Sequence, residues 1–321
     1  MELEKYKALF LRHLSEKIEI KKPVNLYEPI YYILNLGGKR LRPILCLMSC
    51  DIFGGKVKDA LDAALAIEMF HNFSLIHDDI MDAAPIRRGK TTVHEKWSVN
   101  TGILSGDALL VWAKQLLESY DGQKYKSLNT LFTKTALEVC EGQQYDFDFE
   151  STFNVNVEQY IEMITRKTAV LVAASLKFGA IIAETSKKDS ENIYNYGLNL
   201  GIAFQLQDDY LDIYGKEDFG KQKAGDIIEN KKTFLFLKTL ELANENDRKK
   251  LVKFYGSKEY SEGKIEDVIA LFNKYKVSEL IEFEIEKYTS KAVQSINSLS
   301  INKDKKDGLV NFAQQLMERK I

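Results

Sequence analysis

VKDALDAALAIEMFHNFSLIHDDIMDAAP, residues 57–85, is the stretch on which the fold class turns. Ala60, Ala63, Ala64, Ile67, Phe70, Phe73 and Ile76 with His77 recur three and four residues apart, the spacing that lines one face of an α-helix. The predicted helix spans 57–82 and stops where Ala83-Ala84-Pro85 follows, because proline lacks an N–H and restricts the residue before it. Pro85 is also the last proline of the chain; only Pro23, Pro29 and Pro43 precede it. A β-rich chain of 321 residues would punctuate many turns with proline and glycine. A long proline-free remainder rich in Leu, Lys, Glu and Ala favours helix joined to helix, and argues against a β-sandwich, a barrel or a collagen-like chain.

Similar apolar stripes run over 102–120, 128–149, 157–184, 189–214, 231–243, 262–274, 276–297 and 305–319. Those at 157–184 and 189–214 are apolar on much of their circumference, which marks helices enclosed by others. No repeat, low-complexity tract or composition break divides the chain, so the expectation is a single all-α domain over residues 1–321. Long connections are expected at 83–93 and 215–230, and surface turns at 121–127 and 256–263. Loops of this kind on a rigid scaffold carry function.

Composition narrows the function. Apolar residues make up 45% and charged residues 29%, with 45 Lys and Arg against 47 Asp and Glu, so the net charge of −2 gives no reason to expect nucleic acid. Met1 to Lys22 carries charges throughout and has no apolar signal region. No stretch reaches the roughly 18 uninterrupted apolar residues of a spanning helix; Ala169 to Ala183 comes nearest and is broken by Lys177. Cys46, Cys50 and Cys140 lie in apolar sequence and read as buried, reduced thiols rather than zinc ligands or a disulfide framework. The expected compartment is the cytoplasm, with no membrane span.

The sharpest local signal is Asp78-Asp79-Ile-Met-Asp82. Asp78 and Asp82 are one helical turn apart and share a face, with Asp79 beside them. All three sit in the last turn, at the negative end of the dipole, which disfavours each by about 0.3–1 kcal/mol. The arrangement recurs at Asp208-Asp209-Tyr-Leu-Asp212, followed by Ile-Tyr-Gly215 as a stop. One such cluster reads equally well as a solvated helix end; two, each followed by a basic loop, do not. If the two ends face each other, six carboxylates need cations, and hard oxygen ligands suit Mg²⁺, which shares its shell with water and substrate phosphates.

Three basic segments match that demand. Gly37-Gly38-Lys39-Arg40-Leu41-Arg42-Pro43 is a turn dense in cations, from which Lys39 and Arg42 can project to one side. Arg87-Arg88-Gly89-Lys90 follows the first acidic cluster, and Lys221 and Lys231, bracketing Asp226, follow the second. Any one alone reads as a solvated loop; together they suggest two phosphate sites around one metal centre.

With GGKRLRP at 37–43, HNFSLIHDDIMD at 71–82, RRGK at 87–90, GDALL at 106–110, GQQYDF at 142–147, KTAVL at 167–171, FQLQDDYLDIYG at 204–215, and GKQKAGD with NKKT over 220–233, the chain resembles a trans-isoprenyl diphosphate synthase of the polyprenyl synthetase family. The resemblance implies antiparallel helices around a deep central cavity, the isoprenoid synthase fold, and a homodimer. It implies three Mg²⁺ ions per site, with Mn²⁺ as a substitute, held by Asp78, Asp79, Asp82 and Asp208, with Asp209 and Asp212 in support. The implied reaction ionises an allylic diphosphate (dimethylallyl, geranyl or farnesyl) and alkylates the double bond of isopentenyl diphosphate. By the same resemblance Lys39, Arg42, His71 and Arg88 hold isopentenyl diphosphate, and Arg87, Lys167, Lys221 and Lys231 hold the allylic diphosphate. Thr168 and Gln205 aim oxygen dipoles at the cation. His77 stays structural, and Arg319 with Lys320 resembles a basic tail that closes some family sites. Ala224 and Asn230 depart from the pattern, standing where relatives often carry glycine.

Product length is expected to follow from the helix of the first cluster. Phe73 lies five residues before Asp78, about 7.5 Å along the axis, and Phe70 eight before, about 12 Å. An isoprene unit extends roughly 4–5 Å, so an aromatic floor at these depths stops growth after a few units; otherwise both rings are simply core. Phe73, with Ser74 rather than a second aromatic beside it, resembles geranylgeranyl (C20) diphosphate synthases, and farnesyl (C15) stays open. A class I terpene cyclase would carry an Asn/Ser/Glu-type second motif in place of DDYLD, a di-iron bundle would need Glu-x-x-His pairs, and a non-catalytic synthase subunit would lose its acidic clusters.

Overall fold

In the computed structural model, residues 3–215, 224–256 and 263–317 are described. Among them sixteen α-helices follow in chain order: α1 (Leu3–Lys17), α2 (Val24–Asn35), α3 (Leu41–Ile52), α4 (Leu61–Met81), α5 (Val93–Lys96), α6 (Val99–Leu116), α7 (Gly122–Ser151), α8 (Val157–Ile164), α9 (Val170–Ile182), α10 (Lys187–Tyr214), α11 (Gly225–Ile228), α12 (Phe234–Leu242), α13 (Glu245–Gly256), α14 (Lys264–Lys274), α15 (Val277–Asn297) and α16 (Lys303–Met317). The fold is all-α; the strands among the described residues are β1 (Ile86–Arg87) and β2 (Lys90–Thr91). No described helix is long and apolar enough to cross a membrane.

The stretch 57–82 opens with a 3₁₀ turn (Val57–Ala60) before α4 begins. Its stop is a Schellman closure: Ala84 N bonds Asp79 O and Ala83 N bonds Ile80 O, with Ala83 left-handed at φ 49°. Pro85 lies just beyond rather than ending the helix itself. The connection after it folds into an antiparallel hairpin, Ile86 opposite Thr91 and Arg87 opposite Lys90. Arg88 (φ 53°) and Gly89 (φ 72°) turn it, the positive-φ pair that a two-residue hairpin of type I′ needs. Strands of two residues are too short to show alternation, which hid the hairpin in the sequence.

Other boundaries moved for similar reasons. Residues 122–127, expected as a surface turn, are the first turns of α7. The charged segment ENDRKKLVKFYG folds as α13, although its polar composition hid its buried Leu251 and Tyr255. Cys46 and Cys50 are buried as expected, and burial pushes both thiols up, Cys50 to about 11. Cys140, in contrast, is exposed, because the apolar stripe of α7 runs along another face.

The chain divides into two compact units. The first holds Met1–Leu137, Leu171–Tyr194 and Ser298–Lys305. There α4 packs against α6 and α3, α2 against α6, and α1 against α3, around fully buried Phe10, Ile30, Leu45, Leu47, Phe70 and Phe178. The second holds Glu138–Val170, Asn195–Asn297 and Lys306–Ile321. Its core gathers Tyr160, Phe234, Phe236, Leu251, Phe272 and Ile281, with α12 packed on α15 and α14. Each such side chain contributes about 1.5–3 kcal/mol on leaving water.

Candidate active site

In the first unit, the last turn of α4 carries Asp78 and Asp79, and Asp82 caps the helix. Arg87 reaches back from β1 and grips this end. Its Nε lies 2.6 Å and its Nη2 2.5 Å from Asp79 Oδ1, and Nη2 lies 3.5 Å from Asp78 Oδ2. Asp79 is buried, and its second oxygen, Oδ2, has no hydrogen-bond partner. Burial pushes the Asp79 carboxyl above its ordinary pKa, although the Arg87 guanidinium pulls the other way.

The 37–42 turn lies against the second hairpin arginine. Arg88 Nη1 donates to Gly37 O at 2.6 Å. A Cβ on Gly38, which is at φ +113°, would stand 2.9 Å from Arg88 Cζ, so glycine is what admits the guanidinium. Arg42 Nη1 lies 3.2 Å from His71 Nε2. A guanidinium only donates, so this histidine nitrogen accepts and the ring is neutral. Burial first, then the charges of Arg42, Arg88, Arg87 and Arg40, hold His71 well below the usual histidine pKa. Arg42, His71 and Arg88 thus come together, with exposed Lys39 on the same turn.

In the second unit, the expected helix 157–184 is interrupted. α8 opens on a capping box, Asn156 with Gln159, and ends in a π-helical turn, Thr165–Ala169, before α9 begins. Such turns mark sites where a helix is forced to take one extra residue. α7 packs directly on this turn: a Cβ on Gly142 would lie 2.3 Å from Lys167 N, so the two meet backbone to backbone. Lys167, on the turn, pairs with Asp146 at 2.5 Å.

Thr168 Oγ1 donates to Gln205 Oε1 at 3.1 Å, Gln205 Nε2 donates to Asp209 Oδ1 at 3.1 Å, and Tyr160 donates to Asp209 Oδ2. Both oxygens of buried Asp209 are therefore engaged. Burial, then the Asp226 carboxylate, pushes its pKa well up. Asp212 Oδ2 accepts from Asp226 N at 3.0 Å, while Asp208 is exposed. Lys231 pairs with Glu229 at 2.7 Å. Ala224 and Asn230 both sit at φ 58°, the left-handed region glycine occupies freely, which explains why these positions suit glycine. Lys221, Arg319 and Lys320 lie outside the described residues.

Residues 23–272 match the model of the family described as polyprenyl synthetase. The chain belongs to the polyprenyl synthetase family. It is 40% identical over 284 residues to a geranylgeranyl diphosphate synthase of Sulfolobus acidocaldarius, covering 87% of this chain and 86% of that one. It is 36% identical over 319 residues to a short chain isoprenyl diphosphate synthase of Methanothermobacter thermautotrophicus, covering 99% and 97%. A crystal structure of a geranylgeranyl pyrophosphate synthase matches with a TM-score of 0.95 at 49% identity, over 100% of both chains. The protein is a prenyltransferase of this family.

The aromatic residues of this polyprenyl synthetase form a nested set. Phe70 meets Phe73 with ring centroids 5.6 Å apart and Phe132 of α7 at 5.5 Å; Phe73 stands edge-on to His77 at 4.8 Å. His77 also approaches Ile103 O at 3.2 Å. Ser74 turns its hydroxyl back to His71 O at 2.8 Å. Sequence reasoning missed Phe132, Tyr160, Asp146, Arg40 and Glu68. Glu68 had a signal, a lone acid inside the apolar run AALAIEMF, residues 63–70; Tyr160 had none, since a tyrosine on an apolar stripe reads as core.

Proposed function

We propose that this prenyltransferase condenses isopentenyl diphosphate with dimethylallyl, geranyl and farnesyl diphosphates in turn and releases geranylgeranyl diphosphate (C20). Residues 1–321 work as a single catalytic domain, and the enzyme is a cytoplasmic homodimer. The observation that carries this is the cation set of the first unit: Arg42 on neutral His71, Arg88 on the 37–42 turn, and Arg87 on Asp78 and Asp79. Such a set binds diphosphate oxygens through charge-assisted, forked hydrogen bonds. Lys39, Arg42, His71 and Arg88 hold isopentenyl diphosphate; Arg87, Lys167, Lys221 and Lys231 hold the allylic partner.

The allylic C–O bond breaks with its electron pair leaving on diphosphate. The double bond of isopentenyl diphosphate attacks the allylic carbon, and loss of a proton restores an alkene. Thr168 and Gln205 stabilise the cation by oxygen dipoles. Gln205 is suited to this because Asp209 takes its Nε2, which fixes Oε1 on the Thr168 side.

Mg²⁺ fits the donor set. Asp79 Oδ2 is a buried acceptor without a partner, and the charges of Asp208 and Asp226 press on Asp209, so both acidic ends call for a cation. Mg²⁺ takes oxygen ligands and keeps water and substrate phosphate in its shell; among the described residues no three His, Cys, Asp or Glu side chains gather as a metal site by themselves. Held by Asp78, Asp79, Asp82, Asp208, Asp209 and Asp212, Mg²⁺ would neutralise the diphosphate leaving group.

The C20 assignment draws on the relatives' names and on the Phe70, Phe73 and Phe132 rings as a floor. Incubation with labelled isopentenyl diphosphate, each allylic primer and Mg²⁺ should place label in C20 product. Asp78→Ala should slow turnover on the order of 10²–10³-fold, and Phe73→Ala should extend the products. No incorporation by the wild type, or undiminished turnover by Asp78→Ala, would sink the reading; a C15 end product would correct the chain length.

A further inference from the structure

Arg40 stands between Lys39 and Arg42, yet it is only 4% exposed. Its backbone is left-handed, φ 51° and ψ 37°, at the start of α3. That step is unfavourable for a residue with a Cβ, so something must hold it. The side chain does: one Nη donates to Glu68 Oε1 and the other to Leu34 O. Glu68 is buried on α4, three residues before His71. Asn72, fully buried one turn on, donates to Glu68 O at 2.7 Å and to Glu68 Oε1 at 3.2 Å. The guanidinium is thus anchored to two elements, α2 through Leu34 and α4 through Glu68. A buried ion pair gains little stability over apolar residues of similar size. Its place within the cationic turn points instead to geometry.

We infer that Arg40 is a positioning residue for the diphosphate-binding turn, with Glu68 as its anchor. The anchored side chain keeps residue 40 left-handed, and that backbone step sets the direction in which Lys39 leaves the turn relative to Arg42 in the first turn of α3. A right-handed residue 40 would swing Lys39 away from its place beside Arg42. The inference rests on the reading of Lys39, Arg42, His71 and Arg88 as the isopentenyl diphosphate site.

Arg40→Lys is the decisive variant, because it keeps the charge but lacks the planar fork that serves two acceptors at once. Steady-state kinetics should show KM for isopentenyl diphosphate raised on the order of 10-fold to 100-fold, in the range that small misplacements produce. KM for the allylic primer should stay within about twofold, as should kcat at saturation, since neither depends on this turn. Glu68→Gln keeps the shape and an acceptor oxygen and should give a smaller rise of the same selectivity. It also carries the test should Arg40→Lys fail to fold. Calorimetric titration of each folded variant with isopentenyl diphosphate alone should repeat the order wild type, Glu68→Gln, Arg40→Lys. An unchanged KM for isopentenyl diphosphate, or equal rises in both KM values with a lower melting temperature, overturns the inference. A wild type that turns over allylic diphosphate but binds isopentenyl diphosphate unaffected by Lys39→Ala and Arg42→Ala overturns the underlying site reading instead.

Discussion

His71 is neutral in the folded protein for a reason independent of substrate: burial and four arginines oppose its protonation. On unfolding the ring regains an ordinary pKa near about 6.5. Between the lowered folded value and that unfolded value, the unfolded chain binds more protons, so stability rises with pH through the window. Stability is therefore lost as pH falls below about 6.5, by at most ~1.4 kcal/mol per pH unit from this group. Denaturant unfolding of wild type and His71→Gln at pH 7.5, 6.5 and 5.5 should show the variant losing less stability on acidification; parallel losses would contradict the buried, neutral ring. At this scale the sequence was legible where chemistry opposed local physics. Asp78, Asp79, Asp208 and Asp209 stood out because helix ends of that polarity disfavour carboxylates. Arg40, Glu68 and Tyr160 did not, since their partners lie on other elements: Glu68 is 28 residues from Arg40, and Asp209 is 49 from Tyr160.

At the scale of elements, the π-turn depends on Gly142. A methyl there meets backbone atoms of Lys167 at 2.3 Å, and backbone cannot swing aside as a side chain can. Gly142→Ala should destabilise by about 1–3 kcal/mol, the usual cost of overpacking, and lower kcat by displacing Lys167 and Thr168. Thermal unfolding and turnover measured together test this, and an unchanged melting point would show that the two helices can part. Recurrence of apolar residues located most helices, because burying one face imposes that recurrence whatever lies opposite. It failed where burial was sparse, as in α13, or where an element was too short for a period, as in the hairpin that carries Arg87 and Arg88.

For the molecule as a whole, α6 presents apolar side chains to solvent: Val99, Ile103, Leu104 and Val111 are all exposed, Val111 to 68%, and Leu137 of α7 is exposed to 62%. Exposed apolar side chains of this kind suit an association surface, and the homodimer proposed above would lay a second copy of the chain over them. If the proposed homodimer forms through this face, Leu104→Glu with Val111→Glu should leave the protein a monomer in sedimentation or light scattering. A wild type already monomeric at micromolar concentration would remove the assignment. The overall class was legible from proline placement and periodicity alone, since both act along the chain. The division into two compact units was not, because it arises from contacts among distant segments, and no composition break marks it.

One extra residue in the turn Thr165–Ala169 shifts phase as well as length. An α-helix advances about 100° per residue, so a helical wheel drawn straight through 157–184 assigns the Val157–Ile164 half to a face about 100° away from the one it occupies. Tyr160, on the α8 side of the turn, donates to Asp209 with that offset in place. The rhythm within each half survives the slip while its angular origin is reset, and removal of a single residue there would turn the side chains of α8 by about 100° relative to those of α9.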